Sequence, residues 1–141
     1  MSRRPHDKQT IALTQLETAL RLFVEGKDYY SVVTLAGAAD EIFGKMLESR
    51  GVLSALASLT KASAAIHLTV HGVPESAKTF ADRANLARNA LKHLSAGGDP
   101  VPLDMREEAA DMLDRAISNY WALMSQLSPA MESFERSLRA T

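Results

Sequence analysis

Tyr29-Tyr30-Ser31-Val32-Val33-Thr34-Leu35-Ala36-Gly37-Ala38-Ala39-Asp40-Glu41-Ile42-Phe43-Gly44-Lys45-Met46-Leu47-Glu48-Ser49-Arg50-Gly51 carries its apolar residues mostly three and four apart. Val32, Val33, Leu35, Ala36, Ala39, Ile42, Phe43, Met46 and Leu47 therefore form one broad stripe along a helix. A stripe of that width can touch two neighbouring helices at once. Asp28 stands where an N-cap would, and Gly51 stands where the chain would leave the helix. The spacing predicts a helix from Tyr29 to Arg50 at the centre of an all-α fold.

The flanking sequence repeats the same period, and no sustained alternation of β-branched residues competes with it. A first helix is expected from Asp7 to Glu25, with Ile11, Leu16, Leu20 and Phe23 inward and Gly26-Lys27 as its end. From Ser54 to Val70 the pattern is again helical, although β-branched residues interrupt it, and Gly72-Val73-Pro74 stops it. Pro74 sets up a long helix from Glu75 to Leu94, and residues 96–102 read as an extended connection. Asp104 can cap the next helix, whose apolar residues run from Met105 to Leu127, and Pro129 opens a short charged helix through Leu138. Short connectors make sequential helices antiparallel neighbours. The expected architecture is an up-down antiparallel bundle of four long helices plus one or two short ones. It would form a single domain over residues 1–141, with residues 1–7 outside the packed part.

Composition narrows the classes of function. The chain has 141 residues, 46% hydrophobic and 23% charged, which is average for a globular domain and excludes disordered and collagenous classes. No apolar run approaches the ~20 residues of a membrane span, and no apolar core follows the charges at the N-terminus as in a signal peptide. A cytoplasmic protein with no membrane partner is expected. The absence of cysteine removes disulfides, thiol nucleophiles and thiolate metal sites. With 16 Lys and Arg against 17 Asp and Glu, a diffuse cationic surface for nucleic acid is absent, so contact with RNA would need a local patch.

Such a patch can be read on the expected Glu75–Leu94 helix. At ~100° per residue, Lys78, Asp82, Asn85, Arg88, Asn89, Lys92 and His93 share one side, and Phe80, Ala84, Ala87, Ala90, Leu91 and Leu94 share the other. Four bases (Lys78, Arg83, Arg88, Lys92) stand against one acid, Asp82, between Ser76 and Leu94, whereas residues 99–115 hold six acids and two bases. A guanidinium fork matches phosphate oxygens, and an imidazole moves protons near neutral pH. Together they suit phosphodiester chemistry by acid–base and electrostatic catalysis, with no metal required. By spacing alone a solvated helix face reads the same way.

Arg88-Asn89-Ala90-Leu91-Lys92-His93 resembles the R-x4-6-H signature of HEPN domains, in the form where a polar residue directly follows the Arg. Upstream, residues 35–47 resemble the second helix of that family, where small residues lead into an acid and then a Lys. The likeness extends at the level of helix order over residues 10–127. It implies a helical homodimer that brings the Arg/His helices of two subunits into a shared cleft, and a metal-independent endoribonuclease of toxin or defence type that needs no cofactor. In that reading His93 is the acid and base, Arg88 holds the scissile phosphate and Asn89 orients the site. Lys92 and the second-helix acid, Asp40 or Glu41, complete the substrate-binding set. Some HEPN toxins pair with a nucleotidyltransferase antitoxin, which makes one a partner to expect. The family also holds non-catalytic members that bind a nucleotide or a protein, and this is the alternative function.

Other residues favour structural roles. His67 and His71 share a helix face but lack the acid between them of a zinc-protease motif, so a helix-end role is expected and no metal. Glu41 and Lys45 are spaced for an intrahelical ion pair, and Asp40 has no such local partner. Glu107, Glu108, Asp111 and Asp114 suit the positive end of a helix dipole. The methionines fall mostly at core spacing. Tyr29, Tyr30, Tyr120 and Trp121 could stack a base, but adjacent pairs cannot both face one groove.

Overall fold

The computed structural model describes residues 3–92 and 102–140. Among them, seven helices follow one another and no strand forms. They are α1 (Lys8–Glu25), α2 (Tyr29–Ser49), α3 (Ala55–His71), α4 (Ala77–Ala84), α5 (Leu86–Lys92), α6 (Met105–Met124) and α7 (Pro129–Arg139). The N-caps explain most of the starts. Asp7, Asp28, Ser54, Ser76, Asp104 and Ser128 each accept the backbone N–H three residues on, which stabilises each start by about 1 kcal/mol. Gly26 and Gly72, in the left-handed region at φ 69° and 71°, close α1 and α3.

The apolar stripe of α2 lies between α1 and α6. It buries Val32, Val33, Ala36, Ala39, Phe43 and Leu47, and α1 supplies Ala12, Leu16, Ala19 and Leu20 from one side. Met112, Leu113, Ala116, Ile117 and Tyr120 come from α6 on the other, with Tyr120 edge-on to Phe43 at 5.5 Å between ring centres. Each large side chain so buried contributes about 1.5–3 kcal/mol. On α1, Ile11 and Phe23 are half-buried rather than interior, and Ala12 and Ala19 take the inner places. Helix α7 lays Met131 and Phe134 on this core, and Phe134 meets Phe23 edge-on at 5.4 Å. Tyr120 is thus a core residue and Tyr29 packs on Phe23, while Tyr30 and Trp121 are exposed.

Two expectations need correction. The long helix expected from Glu75 to Leu94 is two short ones, α4 and α5, broken at Asn85 with φ −102° and ψ 11°. The physical reason is tertiary. Arg115 of α6 donates to the Ala84 carbonyl at 3.1 Å and to Asn85 Oδ1 at 2.9 Å, so an outside cation occupies the groups at the break. The single wheel drawn through Lys78 and Arg88 therefore does not hold. Of its apolar side, Ala87 is buried, Phe80 and Ala84 are half-buried, and Ala90 and Leu91 are exposed. Leu94 and most of the 96–102 connection lie outside the described residues. Bundle packing also falls short at α3, a helix as expected, of which only Thr60 is buried.

Helix α7 rests on α6 through a pair of acids. Burial, then a hydrogen bond and charge from Asp114, push the Glu135 carboxyl up to about 7. Since the folded value exceeds the ordinary one, protonated Glu135 stabilises the fold fully below about pH 4.5. That contribution disappears as pH rises through about 7. Glu135→Gln is expected to gain thermal stability relative to the wild type between pH 5 and 8, in paired melting curves read by circular dichroism. A difference in melting temperature that stays flat across this range would exclude the assignment. A second expectation concerns Ser125, which ends α6 at φ 54°, a conformation that disfavours a side chain. Ser125→Gly should raise the unfolding free energy by about 0.5–1 kcal/mol in urea titrations.

Candidate functional site

One face of α2 presents Gly37, Asp40, Glu41, Gly44, Lys45 and Glu48 in successive turns. Over it lie Arg88 from α5, the start of α3 at Ser54 and Leu56, and Asn119 from α6. Together they line a cleft of about 230 Å³. The two adjacent acids of α2 have separate partners. Asp40 points into the protein, where its Oδ2 accepts from Arg115 Nη2 at 2.7 Å and its Oδ1 from Asn119 Nδ2 at 3.0 Å. Asn119 also donates to the Asp40 carbonyl at 3.2 Å and accepts the Ala55 backbone N–H at 2.7 Å. Burial raises the Asp40 carboxyl above its ordinary value, against the downward pull of Arg115.

Glu41, one residue on, turns toward the cleft mouth. It accepts from Arg88 Nη2 through Oε2 and pairs with Lys45 Nζ through Oε1 at 3.2 Å. The Lys45 hydrogen bond, with the charges of Arg88, Lys45 and Lys92, lowers the Glu41 carboxyl below its ordinary value, partly offset by burial. Glu41 is therefore an anion throughout the neutral range. Arg88 is largely covered, and its aliphatic stem crosses α2 at Gly37. A Cβ at Gly37 would stand 2.9 Å from Arg88 Cδ, so the glycine is what lets this side chain lie flat.

Of the six residues singled out from the sequence, Arg88 and Glu41 are in direct contact, and Asp40 sits behind them on Arg115. Asn89 and Lys92 are exposed on α5. His93 lies outside the described residues. The sequence reading missed Arg115 and Asn119, which organise the interior of the site. A signal for them existed. They stand four apart and within ~60° of Met112 on α6, so a cation and an amide share the edge of an apolar stripe.

Neighbouring clusters have other roles. The His67 and His71 rings lie 4.6 Å apart, and His67 meets Phe80 edge-on at 6.0 Å, which ties α3 to α4. Among the described residues no group of three or more His, Asp or Glu could hold a metal, and no helix is long and apolar enough to cross a membrane.

Removing one partner of a buried ion pair strands the other charge and costs about 3–5 kcal/mol, whereas an exposed pair contributes about 0–1 kcal/mol. Arg115→Ala should therefore lower the unfolding free energy by about 3–5 kcal/mol in urea titrations, and Glu41→Gln by less, about 1–2 kcal/mol, because Glu41 is open to solvent and a glutamine still accepts from the covered Arg88. Equal losses would contradict the division of labour between the two acids. Gly37→Ala should leave stability within about 1 kcal/mol, because better helix propensity offsets the displaced arginine, while a crystal structure of the variant shows Arg88 off Glu41.

Comparison with protein-family models, curated proteins and solved structures finds no match to this chain.

Proposed function

We propose that the chain is a HEPN-like domain acting as a metal-independent endoribonuclease of toxin or defence type, in a helical-bundle homodimer. The observation that supports this most is the Arg88–Glu41 contact. Arg88, which opens the segment 88–93, meets Glu41, which lies in the segment 35–47, and both line the same cleft. In this reading an RNA phosphate takes the place of the Glu41 carboxylate on the Arg88 fork, a planar donor set suited to either anion. His93 takes the proton of the ribose 2′-hydroxyl, whose oxygen attacks the adjacent phosphorus. The bond to the 5′-oxygen breaks, and an imidazolium returns a proton to that leaving oxygen. The products are a 2′,3′-cyclic phosphate and a free 5′-hydroxyl end, and Arg88 offsets the charge that builds on the non-bridging phosphoryl oxygens.

One observation favours a second reading. Arg88 is already held by an ionised partner, as befits an anchor in a non-catalytic module that binds a nucleotide or a protein, whereas a nucleotidyltransferase antitoxin is a partner of the toxin reading. The two readings separate by experiment. RNA cleavage in EDTA is expected from the wild type, with Arg88→Ala and His93→Ala each reducing it by about 10²-fold or more. Helical content should be unchanged, since Glu41 keeps Lys45 when Arg88 is removed. Full activity in either variant overturns the nuclease. No cleavage by the wild type, together with mononucleotide binding in calorimetry that Arg88→Ala abolishes, supports the module instead.

A further inference from the structure

The two ion pairs of the cleft are built differently. Asp40 and Arg115 are closed off from water, and each has further fixed partners. The outer pair is looser. The Glu41 side chain is 40% exposed and divides its oxygens between two cations, Oε2 to Arg88 and Oε1 to Lys45. Arg88 meets it through Nη2 alone, so among the described residues most of the five N–H donors of this guanidinium have no protein acceptor. Lys45 is 73% exposed, and the charge of Lys92 also acts on Glu41. Three cations thus gather around one carboxylate.

We propose that Glu41 is a latch on this cleft: its carboxylate holds the Arg88 guanidinium in place of a phosphate and keeps the seat closed until a phosphate displaces it onto Lys45. The latch rests on the phosphate seat that the nuclease reading gives to Arg88, and not on the cleavage step. A phosphate oxygen can engage the unclaimed N–H groups of Arg88 before Glu41 departs, so the covered guanidinium is never stranded without an anion. Once displaced, Glu41 keeps Lys45, four residues along the same helix, and its own charge is not stranded either. Asp40 could not act in this way, because its carboxyl is buried and bonded through both oxygens. The position of the latch is set by Gly37, one turn before Glu41, over which the Arg88 stem passes. No aromatic side chain stands among the described residues that line the cleft, so a base has nothing to stack on and the group recognised is the phosphate.

Calorimetric titration of the full chain with inorganic phosphate, in EDTA, tests the latch, with helical content of each variant checked by circular dichroism. Glu41→Gln is expected to lower the phosphate dissociation constant by about tenfold or more, because a neutral amide yields Arg88 more readily than a carboxylate does. Glu48→Gln removes the same charge from the lining of the same cleft without touching the Arg88 pair, and should lower it by no more than about threefold. Lys45→Met supplies a second measurement. It should weaken phosphate binding about fivefold where Glu41 is present, since the displaced carboxylate then has no second partner, and no more than about twofold in the Glu41→Gln background. Equal factors in the two backgrounds, equal gains from Glu41→Gln and Glu48→Gln, or no phosphate binding by the wild type and Glu41→Gln alike overturn the latch. RNA assays keep the two readings apart. If no form cleaves RNA while the phosphate pattern holds, the nuclease falls and the latch stands. If the wild type cleaves RNA and Glu41→Gln binds phosphate no tighter, the latch falls and the nuclease stands.

Discussion

A buried carboxylate with two partners on one helix holds the parts of this molecule in register. Asp40 of α2 meets Arg115 and Asn119 of α6, one turn apart, and neither its charge nor its hydrogen bonds reach water. The same two side chains have hands left over. Arg115 takes the Ala84 carbonyl and the Asn85 side chain, and Asn119 takes the first free N–H of α3. Apolar packing joins α1, α2 and α6, but this polar cluster decides where α3 starts and where α4 gives way to α5. A buried pair of this kind adds little net stability over an apolar replacement, yet losing one member is expensive, so it works as a register pin.

The geometry of the cleft follows from that pin. With the break at Asn85 held by Arg115, α5 runs across α2 at the turn where Gly37 leaves room for the Arg88 stem. Arg88 then reaches Glu41, and Glu41 is shared with Lys45. The outcome is a layered charge arrangement. Asp40 is neutralised behind the cleft, while at its mouth two cations bracket one carboxylate. In the proposed nuclease a phosphate competes with Glu41, since two oxygens of its tetrahedron accept from the Arg88 fork as a carboxylate does. The distinction between catalysis and anchoring therefore turns on how readily that carboxylate is displaced.

Helix α3 carries the least charge of the seven described helices, one Lys and no acid. It packs on α4, where His67 meets Phe80 edge-on, and on α6, where Asn119 accepts the Ala55 N–H, and its outer stripe is apolar.

Periodicity and end signals in the sequence determined which segments are helical. The caps at Asp28 and Asp104, the stops at Gly26, Gly51 and Gly72, and the interior stripe of α2 act within one or two turns, so local spacing reveals them. The sequence also determined that Glu41 pairs with Lys45, a contact four residues long. Only the tertiary structure decided the rest. It split 75–94 at Asn85, turned Asp40 inward and Glu41 outward, and left the stripe of α3 uncovered. Glu41 and Arg88 are 47 residues apart, and Asp40 and Arg115 are 75 apart, so no helical wheel can pair them. A carboxylate chooses its cation by which charges the packed helices bring within reach, and that distance exists only once the chain has folded.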